Sequence, residues 1–247
     1  MRYQALALDY DGTLATDGVV PGTVVDSLRQ ARASGRRLIM VTGRELPDLL
    51  AVFAFTNIFD CIVAENGGLL YVPSTERQVP LATPPPPSLV AQLRQRGVPI
   101  SVGAVIIALQ ESDWPATKEV LASAGFAVDV VLNKGSLMLL PASVNKGTGL
   151  ARAAYELGID RQCIVAMGDG ENDHSLLRAC GLGLAVANAV PQLKIQADAV
   201  THGARGDGVI EVIGQLLATD LAGMTARPRE AVAVPASDAE ALTTRTT

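Results

Sequence analysis

Four short polar runs in this 247-residue chain carry side chains able to do nucleophilic, acid–base or metal chemistry: Asp9-Tyr10-Asp11-Gly12-Thr13, Thr42-Gly43-Arg44, Glu65-Asn66-Gly67-Gly68 and Gly168-Asp169-Gly170-Glu171-Asn172-Asp173. Asp9, Asp11, Asp169 and Asp173 brought onto one surface would repel one another, which is tolerable when a cation sits among them. Such hard oxygen ligands suit Mg²⁺, which takes one or two carboxylates, keeps several waters and shares a substrate's phosphate oxygens. A carboxylate beside Mg²⁺ and a phosphoryl group is a candidate nucleophile, so Asp9 is able to form an aspartyl-phosphate. Asp11 is then placed to protonate the leaving oxygen and later to activate water. Gly12 lets the loop fold sharply enough to bring both carboxylates to one site.

Lys146 opens a helix whose apolar stripe is Leu150, Ala153, Ala154 and Leu157. A cation there opposes the helix macrodipole by a few tenths of a kcal/mol unless an anion lies nearby, and a phosphate would resolve the conflict. A solvated surface lysine is the plain alternative. Thr42 is a candidate hydroxyl donor to the same phosphate, or else closes a local Ser/Thr turn. Asp173 is a candidate metal ligand, or else caps the helix carrying Leu176 and Leu177. No GxxxxGK[ST], dinucleotide fingerprint or GxSxG run is present, and His174 and His202 are the only histidines, too few for a His-based centre.

Each of the four runs follows a short apolar stretch, the place where doubly wound α/β folds collect ligand-binding residues. Strands are expected at Gln4–Leu8, Arg37–Val41, Cys61–Ala64, Cys163–Met167, Leu182–Val186 and Asp198–Val200, alternating with helix-period segments. Thr23, with Asp26 beyond it, is the expected cap of the first helix, which Gly35 ends. A hairpin is expected between Leu69 and Leu81. At Pro84-Pro85-Pro86-Pro87 the pattern breaks. A small α+β module follows, with a helix capped by Asp113 and a strand pair turning at Asn133-Lys134-Gly135. The βα alternation resumes at Lys146. The reading is therefore an α/β Rossmann-like three-layer parallel-sheet core over residues 1–83 and 141–222, an inserted cap over 84–140, and a mobile tail over 223–247.

Composition narrows the partners. The chain is 49% hydrophobic with a net charge of −5 and no Lys/Arg cluster, which argues against a nucleic-acid surface or an anionic membrane. Nine aromatics (four Phe, four Tyr, one Trp) leave little for base-stacking platforms. No apolar run is long enough to span a bilayer, and Asp9 and Asp11 interrupt the only N-terminal one, so a cytoplasmic protein, monomer or homodimer, is expected. Cys61, Cys163 and Cys180 have no paired spacing, so no disulfide framework or zinc cage is indicated.

The ordered set Asp9-x-Asp11-Gly12-Thr13, Thr42-Gly43-Arg44, Lys146-Gly147 and Gly168-Asp169-x-x-Asn172-Asp173 resembles the four motifs of the haloacid dehalogenase-like superfamily. The likeness is nearest to its Cof-type, or IIB, phosphatases, through Glu65-Asn66-Gly67, Ala185-x-x-Asn188-Ala189, Ala197-Asp198 and Asp207-Gly208-Val209. The resemblance implies that Asp9 is nucleophile and magnesium ligand, and that Asp11 is the acid/base with its main-chain carbonyl on the metal. It further implies that Asp169 ligates the metal with Asp173 supporting it directly or from one shell out, that Thr42, Gly43 and Lys146 bind the phosphoryl group, and that Asn172 lies beside it. Asp11 favours phosphate esters, since dehalogenases of the superfamily lack this second carboxylate.

The expected activity is thus Mg²⁺-dependent hydrolysis of a small phosphorylated metabolite, a sugar phosphate or phosphoglycolate. Arg44, Glu65, Asn66, Gly67 and Lys134 are candidate substrate contacts. A phosphomutase and a phospho-accepting regulator without turnover are the alternatives.

Overall fold

The computed structural model describes residues 1–227 apart from Gly125 and Lys134. Strand β1 (Ala5–Leu8) is buried along its whole length, as a central strand covered on both faces must be. It pairs in parallel with β2 (Arg37–Val41) on one side and with a later strand, Ile164–Gly168, on the other. Helix α1 (Gly22–Ala33) makes the first crossover and turns Val24, Val25, Leu28 and Ala31 inward. Thr23 does not cap it: the helix starts one residue earlier, after Pro21, whose fixed φ presets the first turn, and Asp26 instead pairs with Arg29 at 2.9 Å. Gly35, at φ +89°, lets the chain leave the helix end in a left-handed turn.

After α2 (Leu46–Val52), β3 (Cys61–Ala64) adds in parallel to β2. The expected hairpin is β4 (Leu69–Val72) and β5 (Arg77–Pro80), which continue the same sheet antiparallel. The large sheet is therefore mixed at this edge rather than wholly parallel.

The chain then builds a second, four-stranded antiparallel sheet. Helix α3 (Pro87–Gln95) begins on the last residue of the proline run, in the first turn, where a missing N–H costs nothing. Strands β6 (Ser101–Val102) and β7 (Ile107–Gln110), helix α4 (Trp114–Ala124), and strands β8 (Val128–Asn133) and β9 (Ser136–Pro141) complete it in the order β6-β7-β9-β8. Asp113 lies in a 3-10 turn before α4 and gives no side-chain cap; its carbonyl accepts the Thr117 hydroxyl at 2.9 Å. Leu89, Leu93, Ile107, Leu109, Val120, Leu137 and Leu139 form a core separate from that of the large sheet.

Helix α5 (Lys146–Leu157) returns the chain to the large sheet, followed by β10 (Ile164–Gly168), α6 (His174–Arg178), β11 (Leu182–Ala185), α7 (Pro191–Gln196), β12 (Ala199–Val200) and α8 (Arg205–Thr219). The order is β12-β11-β10-β1-β2-β3-β4-β5. Its centre, β10-β1-β2-β3, is all parallel, so four strand ends share one edge and carry Asp169, Asp9, Thr42 and Glu65 on adjacent turns. The start of the expected tail is not loose: Met224 and Ala226 pack on the core, and Arg227 N donates to Asp198 Oδ1 at 2.8 Å. Residues 228–247 lie outside the described residues.

Helix α5 approaches that edge closely because Gly149 has no side chain. A Cβ there would stand 2.4 Å from Val63 Cγ1 and 2.8 Å from Gly67 Cα. Gly149→Ala should therefore lift α5 from β3 and cost about 1–3 kcal/mol of stability, read as a fall in the urea midpoint with an unchanged slope.

Candidate active site

Lys146 is the first residue of α5, and its side chain is 1% exposed. The N-cap residue Asn145 accepts from Thr148 N at 3.0 Å and the Thr148 hydroxyl answers the Asn145 N–H, so the helix start is closed by a capping box that leaves Lys146 free to turn inward. Its Nζ donates to Asp9 Oδ1 and to Asp173 Oδ1, both at 2.6 Å. One ammonium thus bridges the loop after β1 and the loop after β10. It is no surface lysine.

Asp9, Asp169 and Asp173 are all buried, and a carboxylate oxygen from each lies within 4.8 Å of the others. Burial lifts the Asp9 carboxyl well above the ordinary range, the charge of Asp173 adds to the rise, and Lys146 pulls it partway back. Burial works against the Lys146 ammonium, but Asp173 and Asp9 outweigh it and hold the group charged to higher pH than usual. Three buried carboxylates against one buried ammonium leave an excess of negative charge with room for a hard cation.

The three carboxylates differ in what they have to spare. Asp173 Oδ1 takes Lys146, and its Oδ2 accepts from the N–H groups of Asp169 and Gly170, both at 2.9 Å. Asp173 also gives α6 no side-chain cap. It thus orients the Asp169 loop and Lys146 while keeping a carboxylate oxygen within 4.8 Å of those of Asp9 and Asp169. Asp169 Oδ2 accepts from Asn188 Nδ2 at 3.1 Å. Asn188 also donates to Gly12 O at 2.9 Å, tying the acidic loops to each other. Only the Ala-x-x-Asn-Ala run signalled it in sequence.

Asp11 is gripped by Arg44, which donates Nε to Oδ2 at 2.7 Å and Nη2 to Oδ1 at 2.8 Å. Nη1 of the same guanidinium reaches Asp48 at 2.7 Å, and its Cζ lies 5.3 Å from the Tyr10 ring centre. The hydrogen bonds to Asp11 lead the rise of the Arg44 pKa above its usual value. Arg44, expected against substrate, instead holds a carboxylate of this chain in a two-pronged pair. Thr42 is 1% exposed and its hydroxyl accepts from Arg44 N at 3.1 Å, which leaves the hydroxyl proton for a ligand.

The Glu65-Asn66-Gly67 loop also departs from expectation. Glu65 is 1% exposed, and its carboxylate accepts from Ala104 N (2.9 Å), Val105 N (2.7 Å) and Ile106 N (3.2 Å) in the turn between β6 and β7. It braces the small sheet onto the large one. Asn66 Oδ1 accepts from Asn172 Nδ2 at 2.9 Å, and a Cβ on Gly67 would fall 2.0 Å from Asn145 O. The three residues expected to face substrate thus join the smaller sheet, the turn bearing Asp173 and the start of α5. Glu65 and Asn66 adopt φ +53° to do so. Gly43 faces the smaller sheet, with Met138 Sδ 3.6 Å from where its Cβ would be. Lys134 lies outside the described residues.

A family model described as haloacid dehalogenase-like hydrolase matches residues 6–95 and 99–213. The chain belongs to the haloacid dehalogenase-like hydrolases. Among relatives of this family, a phosphoglycolate phosphatase of Methanothermobacter thermautotrophicus is 34% identical, over 87% of this chain and 99% of its own length. One of Natronomonas pharaonis is 32% identical, over 84% and 95%. In fold, the chain is similar to a haloacid dehalogenase-like hydrolase from Bacteroides thetaiotaomicron (TM-score 0.75, 20% identity, covering 87% of this chain and 99% of that one). It is also similar to a subclass IIB sugar phosphatase (TM-score 0.70, 21% identity, 86% and 98%). Among the described residues no helix is long and apolar enough to cross a membrane.

Glu65→Ala would leave two buried N–H donors and one half-buried donor without an acceptor, a loss of about 3 kcal/mol. Hydrogen exchange at Ala104, Val105 and Ile106 should lose protection in Glu65→Ala and keep part of it in Glu65→Gln.

Proposed function

We propose that the protein is a Mg²⁺-dependent phosphatase of a small phosphorylated metabolite, working through an aspartyl-phosphate on Asp9. The observation that carries this reading is the buried Asp9–Lys146–Asp173 bridge at the edge where four strand ends meet, with Asp169 beside it. The names of the relatives, phosphoglycolate phosphatase and sugar phosphatase, support the substrate class.

Asp9 and Asp169, with the main-chain carbonyl of Asp11, would hold Mg²⁺; the excess of buried negative charge and the all-oxygen donor set fit it. When bound, Mg²⁺ offsets the carboxylate charge and that of the phosphoryl oxygens. Lys146 and the Thr42 hydroxyl hold the phosphoryl group, and Asp173 keeps Lys146 in place. A carboxylate oxygen of Asp9 attacks phosphorus as the bond to the leaving oxygen breaks, and Asp11, released from its pair with Arg44 and protonated, gives that oxygen its proton. Asp11 next takes a proton from water, whose oxygen attacks the phosphoryl group. The bond to Asp9 breaks, releasing inorganic phosphate and restoring the carboxylate. Residues 84–140 act as a cap that Glu65 holds over the site, excluding bulk water during the first step.

Phosphate release from a panel of phosphomonoesters, with product analysis for isomerised sugar phosphates, tests the reading. Asp9→Asn should show no release and Asp11→Asn about 10²–10⁴-fold less than the parent. Phosphate release by Asp9→Asn, or isomerised product without release, would overturn the proposal.

Metal and pH should be linked. Because the Asp9 pKa is raised on folding, the folded chain without metal holds a proton that the unfolded chain gives up, so ionising Asp9 costs stability as pH climbs past the ordinary carboxylate range. Mg²⁺ binds the ionised form. The rise in melting temperature with saturating Mg²⁺ should therefore be larger at pH 8 than at pH 5, and equal shifts would argue against Asp9 as a ligand.

A further inference from the structure

Two amide oxygens in the roof and floor of the site have no hydrogen-bond partner. Asn133, the last residue of β8, and Asn172, in the turn after β10, each present a buried Oδ1 that accepts nothing. The two converge: a Cβ on Gly170 would lie 2.6 Å from Asn133 Oδ1 and 3.1 Å from Asn172 Oδ1. Asn172 is only 8% exposed, and its other amide atom is committed, Nδ2 donating to Asn66 Oδ1 at 2.9 Å. Its carbonyl end is thereby turned toward Gly170 and Asn133. Around Asn133 the roof is apolar: Met138, over Gly43, clusters with Ile106, Leu140 and Val144. Buried acceptors are satisfied in nearly all proteins, so a bare pair of oxygens flanking the same glycine calls for a donor that arrives with the ligand.

Resting on the phosphatase reading above, we propose that Asn133 and Asn172 form a subsite for hydroxyl groups on the leaving-group portion of the substrate. The enzyme is then selective for polyol or sugar phosphates over phosphorylated carboxylates. An alcohol O–H directs its proton at the two amide oxygens and supplies what they lack. A carboxylate at the same place has no proton to give, sets its lone pairs against theirs, and lies near the Asp169 and Asp173 charges. Asn133 comes from the smaller sheet and Asn172 from the larger, so the subsite exists only when the two are docked as Glu65 holds them. Phosphoglycolate, the substrate named for the relatives, is the compound this chemistry disfavours.

The test is kcat/KM of the full chain with Mg²⁺ for glycerol 1-phosphate, a hexose 6-phosphate, 2-phosphoglycolate and p-nitrophenyl phosphate. We expect at least one of the two hydroxylated esters to be preferred over phosphoglycolate by about 10-fold or more, since a site built around hydrogen bonds to an OH rejects analogues lacking it. Asn133→Leu, which removes the acceptor at similar size, should collapse that ratio by about 10-fold or more, while Asn133→Asp, which keeps acceptors, should preserve or widen it. Phosphoglycolate preferred over both hydroxylated esters, or a ratio unmoved in Asn133→Leu, overturns the subsite. If the leucine variant fails to fold, loss of the preference in Asn133→Asp overturns it equally. No release from any ester, p-nitrophenyl phosphate included, overturns the phosphatase reading and the subsite with it, whereas release from p-nitrophenyl phosphate with phosphoglycolate favoured overturns the subsite alone.

Discussion

A single buried ammonium holds this site together. Lys146 Nζ lies 2.6 Å from both Asp9 and Asp173, in a place where three carboxylates are removed from water. Without it the loops after β1 and β10 would present buried like charges to each other, and the interior magnifies such repulsion. Much of the surrounding architecture serves to bring that lysine in. Gly149 lets α5 press against β3, the Asn145–Thr148 capping box completes the helix start, and Gly67 admits the Asn145 carbonyl. The residual negative charge is what makes the site receptive to a cation and, through it, to a phosphoryl group.

The parallel strands β10, β1, β2 and β3 supply the other half of the constraint. Their ends meet at one edge with fully buried bodies behind them, so the turns they carry inherit the rigidity of the sheet. Side chains then cross-link turn to turn: Asn188 from the Asp169 loop to Gly12, Arg44 to Asp11, Asn66 to Asn172. Polar groups that look like free ligands in a list of residues are, in the folded chain, largely occupied with one another. What remains unoccupied is therefore informative. The Thr42 hydroxyl proton and the bare oxygens of Asn133 and Asn172 are the groups left to meet a substrate under the proposed function.

The smaller sheet is joined to this edge by a charge rather than by apolar area alone. Glu65 offers one carboxylate to three successive N–H groups, an arrangement that fixes the turn between β6 and β7. The apolar group around Met138 then closes over Gly43.

Much of this was legible in the residues themselves. Strand positions followed from apolar runs bounded by polar turns, and parallel pairing from the helices between them, since burial on both faces demands uninterrupted apolar sequence. The motif order identified the family because spacing along the chain survives folding. Local spacing could not reveal partners distant in sequence. Glu65 and Val105, Arg44 and Asp11, Asn66 and Asn172 lie 40, 33 and 106 residues apart, and nothing nearby marks Glu65 as a brace rather than a ligand. The helix cap expected at Thr23 was misread because Pro21 starts that helix earlier, whereas α4 begins at Trp114, directly after Asp113, where the residues put it. Chemical identity of the site was thus determined by residue type and order, while the division of labour among its carboxylates and amides was decided by tertiary structure. Which hydrogen-bonding groups are already satisfied depends on what folding brings within 3 Å of them.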